Sequence, residues 1–222
     1  MAGAGAVVWG LDRSPDRPAP AAAPTTTTTT RVRSLAVTPD TRPPLPIPDA
    51  LPDPDAPEPD VVLGRIAIPR LGLDANLQEG IAFAAIDLGP GHWPGTAMPG
   101  QLGNVVVAGH RVSHTHPFRH LEELRPGDPV MFVVGSTTWT YRTRGTVVVG
   151  ADAIDIAAQS YAHTATLFAC HPPGQATQRI VAKLRLVDAS GRPVDPDTAL
   201  PPLTAGSQAG GHVLTVQLPS AL

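Results

Sequence analysis

Short apolar runs, each closed off by Gly, Pro or Asp, fill the middle of the chain and are absent from both ends. "VVLGRIAIP" (61–69), "GNVVVAGH" (103–110), "PVMFVV" (129–134), "TTWTYRTRGTVVV" (137–149), "ATLFAC" (165–170) and "RIVAKLRLV" (179–187) are rich in β-branched and aromatic residues. Such runs predict strands. "ANLQEG" (75–80) adds a short one. Helical patterning is brief: "IAFAAIDL" (81–88) and "PFRHLEEL" (117–124), the second opening on Pro117 and stopping before the turn signal "RPGD". Many short strands with two short helices predict an all-β barrel or sandwich.

The flanks read differently. Residues 1–60 hold "RPAPAAAPTTTTTT" and "TRPPLPIPDALPDPDAPEPD", too poor in large apolar groups to offset the entropy of ordering. Their prolines favour extended polyproline II, a semi-stiff spacer. The folded domain is expected over 61–189. Residues 190–222 turn polar and Pro/Gly-rich again and are expected to be mostly disordered, with "HVLTVQL" (212–218) as a stray strand. "MAGAGAVVWGL" is apolar, but it is about half the length of a membrane span. It lacks the basic start of a signal peptide and is the expected remnant of a longer apolar anchor.

Composition narrows the function. Net charge is −3 over 222 residues, with 15 Arg and one Lys spread along the chain. That leaves no electrostatic footprint for nucleic acid. The single cysteine, Cys170, excludes an intramolecular disulfide and any zinc site needing two thiolates. A lone thiol is most often buried and inert, so its context has to decide.

That context is a strand tip. Alternation puts Thr166, Phe168 and Cys170 on one face, and the turn "HPPG" follows at once. In the next strand Arg179, Val181, Lys183 and Arg185 share a face opposite Ile180, Ala182, Leu184 and Leu186. If the two strands pair antiparallel, Arg179 and Cys170 meet at one edge. A guanidinium there favours the thiolate and can donate to an oxyanion.

A cysteine nucleophile also needs a proton partner. Of the eight histidines, His114, His116 and His120 sit in the polar loop "HRVSHTHPFRH", with no carboxylate or thiolate placed to complete a metal site. They are read as solvated, and no metal is expected. His110 differs. It ends "VVVAG", a buried-type strand closed by a Gly that allows close backbone approach. His110 and Cys170 thus each end an apolar strand, and parallel pairing would bring the two tips together.

These residues carry a family resemblance. The His in "NVVVAGHR", the Cys in "TLFACHP" and the Arg in "QRIVAKLRL" resemble the His–Cys–Arg triad of sortases, cysteine transpeptidases of the bacterial envelope. "GHWPGTAMPGQLGNVVVAGHR" followed by "PFRHLEELRPGD" looks most like class E. The resemblance covers about 61–187. Two positions depart from it: Ala169 stands where many sortases have Thr, and Trp93 where relatives often have Tyr.

The resemblance implies a closed eight-stranded β-barrel and no cofactor. It implies that Cys170 cleaves a Leu-Pro-x-Thr-Gly-like or Leu-Ala-x-Thr-Gly-like signal between Thr and Gly through a thioester. His110 would serve as acid and base, and Arg179 would hold the substrate and oxyanion. Partners would be signal-bearing surface proteins and an amine of a peptidoglycan precursor or pilin, at a membrane-anchored extracytoplasmic site. Trp93, in "GPGHWPGT", is expected to line the signal groove; a packed core Trp is the alternative.

Rival readings remain at this stage, a metal site around His110, Cys170 and His171 being the weakest of them. L,D-transpeptidases carry a Ser-His-Gly-Cys type motif that "LFACHPPG" lacks. A non-catalytic extracellular β-module would simply bury Cys170.

Overall fold

The computed structural model describes residues 53–55, 57, 60–198 and 200. Most of the 1–60 spacer and of the 190–222 tail, including "HVLTVQL", lies outside the described residues.

Eight strands form a closed barrel: β1 (Val62–Ile68), β2 (Leu73–Glu79), β3 (Gly91–His92), β4 (Gly103–Ala108), β5 (Pro129–Val134), β6 (Thr137–Gly150), β7 (His163–His171) and β8 (Gln178–Leu186). Their order around the barrel is β1-β2-β3-β4-β7-β8-β6-β5, and β5 pairs with β1 to close it. β2/β3 and β4/β7 are parallel; all other neighbours are antiparallel. The barrel expected from the resemblance is thus the observed fold.

The two expected helices shrink. Residues 81–88 yield one turn, α1 (Phe83–Ile86), whose N-cap is Ala82 with no side-chain capping bond. Residues 117–124 yield a 3₁₀ turn, Leu121–Glu123, also without a side-chain cap. Phe118 and Leu121 are fully buried there, so core packing rather than helix propensity sets the backbone.

Alternation along the strands makes two cores. Inside the barrel lie Ile66, Ile68, Leu77, Val105, Val107, Phe132, Tyr141, Leu167, Leu184 and Leu186, all 2% exposed or less. Each large apolar side chain so buried contributes about 1.5–3 kcal/mol. The opposite face of β4, β7 and β8 carries a second cluster: Val106, Ala108, Phe168 and Val181, covered by Ile81, Trp93, Ile156 and Ala157.

Below this cluster the same outer face turns polar. Thr166 Oγ1 donates to Asn104 Oδ1 at 2.9 Å, and Lys183 Nζ donates to Thr166 Oγ1 at 3.1 Å and to Ile156 O at 3.4 Å. Asn104 Nδ2 donates to Ile156 O and Ala158 O, fastening the Ile154–Ala157 turn to the sheet. Burial pushes the Lys183 ammonium below its usual range, and Asp155 opposes that shift.

After β8 the chain turns back. Val187 bridges to Pro193, and Val194, 8% exposed, packs on the inner core.

Candidate active site

The barrel register builds one row across three strands. β4 and β7 run parallel up to the pair Ala108↔Phe168, and Gly109 N then donates to Phe168 O at 3.1 Å. The next positions on the same face are His110 and Cys170. On the other side Cys170 is the direct antiparallel partner of Arg179. Side chains so opposed have Cβ atoms about 4.5–5.5 Å apart. Arg179 in turn faces Val149 of β6. His110, Cys170 and Arg179 therefore occupy one rim, one row beyond the apolar floor of Ala108, Phe168 and Val181.

Cys170 is a half-buried free thiol. The His110 side chain is 13% exposed, and its Nε2 lies 2.7 Å from Asp87 Oδ1. Its ring stacks against Phe83 at 6.3 Å and His114 at 5.0 Å between centroids. The fold explains Asp87. β3 runs antiparallel to β4, with Gly91 opposite Ala108, so the chain before Gly91 lies beside the residues after Ala108. Asp87 is the C-cap of α1 in that chain.

The residues that follow His110 and Cys170 lock the two tips together. Arg111, 3% exposed, reaches His171 Nδ1 from Nη1 at 2.6 Å. It also meets Glu122 Oε2 from Nη2 at 2.7 Å, and its Nε donates to Arg119 O at 3.3 Å.

Arg179 Nη1 donates to Ala176 O at 2.9 Å and Gln178 O at 3.0 Å, carbonyls of its own hairpin. Among the described residues its other N–H groups have no acceptor. Trp93 is 3% exposed and lies against Phe168, ring centroids 6.0 Å apart. It backs the floor of the row from within the second core cluster.

Asp87 and Arg111 were not singled out from sequence. Each gains its meaning from a partner distant along the chain, and no local pattern marks either. The histidine loop also needs correcting. A carboxylate does stand by it, because Asp87 Oδ1 is 3.1 Å from His114 Nδ1 as well as beside His110. His120 is paired separately with Glu123 at 3.0 Å.

A family model for the sortase domain matches residues 66–187. Sortase SrtE1 of Streptomyces coelicolor is 35% identical over 92 residues, 38% of this chain and 26% of that protein. Sortase D of Bacillus subtilis is 28% identical over 96 residues, 43% of this chain and 47% of that protein. The matched segments thus span less than half the length of these curated relatives.

Among solved structures, a Sortase D5 transpeptidase of Clostridium perfringens is 26% identical with a TM-score of 0.53, covering 57% of this chain and 79% of that one. A lid mutant of Sortase A from Corynebacterium diphtheriae is 25% identical with a TM-score of 0.56, covering 63% and 75%. Sortase E1 from Streptomyces coelicolor, solved with a tripeptide in its active site, shares the fold at 24% identity and a TM-score of 0.54, covering 60% and 94%. Sortase SrtE1 among the curated relatives gives the class E resemblance modest support. With the family model matched across more than half of its length and the barrel formed as that family requires, the chain belongs to the sortase family.

Proposed function

We propose that residues 61–189 form a cysteine transpeptidase domain acting at the outer face of the cell envelope, with 1–60 as spacer toward a membrane anchor and 190–222 as tail. Cys170 Sγ attacks the Thr carbonyl carbon of a Leu-Pro-x-Thr-Gly-like or Leu-Ala-x-Thr-Gly-like signal. The Thr–Gly C–N bond breaks, and His110 gives a proton to the departing Gly amine. The acyl group is then a thioester on Cys170. An incoming amine, from a peptidoglycan precursor or a pilin, attacks that thioester, the C–S bond breaks, and the amine's proton passes to His110, which restores the thiolate–imidazolium pair. This splits one difficult amide exchange into two easier steps.

Arg179 donates its free N–H groups to the oxyanion of each tetrahedral intermediate, the kind of charge-assisted bond that counts most where charge develops. Asp87 orients the His110 ring. Trp93 acts on signal selection through Phe168, which it backs.

The observation that carries this reading is the register: Cys170 opposite Arg179, and His110 one alternate step beyond the Ala108↔Phe168 pair on the same face. A strand tip with three such groups in one row is a poor place for an inert thiol. The test is cleavage of a fluorogenic signal peptide, with an added amine changing the product. Cys170→Ala, His110→Ala and Arg179→Ala should each abolish or severely reduce turnover. Full activity in all three ends the proposal.

A further inference from the structure

The loop after β4 folds back so that His114 lies over His110 with Asp87 between their ring nitrogens. One ring nitrogen each of His110 and His114 and a carboxylate oxygen of Asp87 lie within 4.8 Å of one another. His110 Nε2 is 2.7 Å and His114 Nδ1 3.1 Å from the same Asp87 Oδ1. His114 adopts a left-handed backbone, φ 51°, a conformation uncommon outside glycine and often found at functional sites.

We propose that Asp87, His110 and His114 form a binding site for a divalent first-row transition metal, and that a metal bound there switches the enzyme off. The binding half stands on this geometry alone; the switching half rests on the role proposed for His110. Imidazole suits Zn²⁺, Ni²⁺ and Cu²⁺, and one carboxylate with two imidazoles is a familiar donor set for such ions. Zinc–donor bonds of about 2.0–2.2 Å place tetrahedral donors about 3.3 Å apart. The pairs at 2.7 and 3.1 Å reach that spacing by opening by up to about 0.6 Å, and the two ring nitrogens, within 4.8 Å, reach it by closing by up to about 1.5 Å. Three protein donors leave a fourth position for water.

The consequence for His110 follows from proton counting. A metal on Nε2 takes that lone pair, so the ring's one proton sits on Nδ1. The ring cannot become an imidazolium, and the Nδ1 proton leaves a metal-bound imidazole far less readily than it leaves an imidazolium, so the departing amine goes unprotonated. The metal therefore blocks the reaction at His110 without touching Cys170.

Zn²⁺ titration calorimetry on Cys170→Ala tests the site with the competing thiolate removed. One-site binding is expected. Adding His114→Ala should weaken it strongly: losing even an outer-shell partner costs about 10–100-fold, and losing a ligand should cost no less. Adding His116→Ala should leave it unchanged. In the peptide assay, the Zn²⁺ concentration that halves each enzyme's own metal-free rate should rise about tenfold in His114→Ala with Cys170 intact. The proposal is overturned if Cys170→Ala binds no Zn²⁺, if His114→Ala leaves its affinity unaltered, or if Zn²⁺ inhibits wild type and His114→Ala alike. Should no signal peptide ever be cleaved, the transpeptidase reading fails while calorimetry still decides on the metal site.

Discussion

Replacing Gly109 by Ala is the sharpest perturbation of the rim that leaves every proposed reacting group chemically intact. A Cβ on Gly109 would sit 2.6 Å from Phe118 Cδ2, 2.8 Å from Cε2 and 3.1 Å from Cγ. Carbon contacts are comfortable at about 3.5–4.0 Å, so ring or strand tip has to give by about 1 Å. The ring has little room, because Phe118 is fully buried in the inner core and Phe118 N donates to His110 O at 3.1 Å. The displacement is therefore passed to His110 itself. Overpacking of this kind costs about 1–3 kcal/mol. At roughly 4 °C per kcal/mol for a domain of this size, Tm should fall by about 4–12 °C. A misplacement of about 1 Å in a reacting group costs on the order of 10²-fold in rate, so kcat/KM for the signal peptide should drop by about that much. Phe118→Leu added to Gly109→Ala makes room for the methyl and should recover part of the activity. Thermal melting monitored by circular dichroism, beside peptide turnover, reads both effects. A variant with wild-type Tm and wild-type turnover would refute the claim that this contact holds His110.

Arg111→Met should cost about 2 kcal/mol, from lost charged hydrogen bonds to His171, Arg119 and half-exposed Glu122, and should lower kcat more than it raises KM; denaturant unfolding and steady-state kinetics check this. Tyr141 is buried, accepts the Gly100 N–H at 3.0 Å, and has its phenol pushed well above its usual range by desolvation. Its folded-state pKa is raised, so its contribution is intact below the unfolded value of about 10 and is lost as pH rises beyond it, by up to about 1.4 kcal/mol per unit. Stability measured from about pH 9 to 11 should fall more steeply in wild type than in Tyr141→Phe, and parallel slopes would contradict the assignment. Trp93→Tyr should shift the preference between Ala and Pro at the second signal position by altering the support under Phe168; competition between the two peptides reads it, and an unchanged ratio removes Trp93 from signal selection.

Strand periodicity was the most legible layer of the sequence. The alternation in "ATLFAC" and "RIVAKLRLV" correctly separates the inner set Leu167, Ala169, Ile180 and Leu184 from the outer set Phe168 and Val181, because the pleat has a period of two. β3 escaped notice. Two residues in a Gly- and Pro-bounded segment carry no pattern, and their pairing with β2 and β4 is fixed by tertiary contacts. The short helices were overextended for a related reason: apolar spacing suggested them, but neither had a capping side chain. At the site, the strand-tip positions of His110, Cys170 and Arg179 could be read, since each ends or opens an apolar run. Asp87 could not, because its proximity to His110 follows from the antiparallel path of β3 along β4. Nor could the partner of Gly109: the residue signals a close approach without saying that Phe118 makes it.

Arg111 and His171 clasp one another across 60 residues of chain. Topology this non-local forms slowly and late, after loop-closure entropy has been overcome. Before β4 and β7 zip together, Cys170 has only the Arg179 guanidinium of its own hairpin at hand and lacks the His110 imidazole. The onset of signal-peptide turnover during refolding should therefore coincide with barrel closure, so that the proposed activity reports on folding.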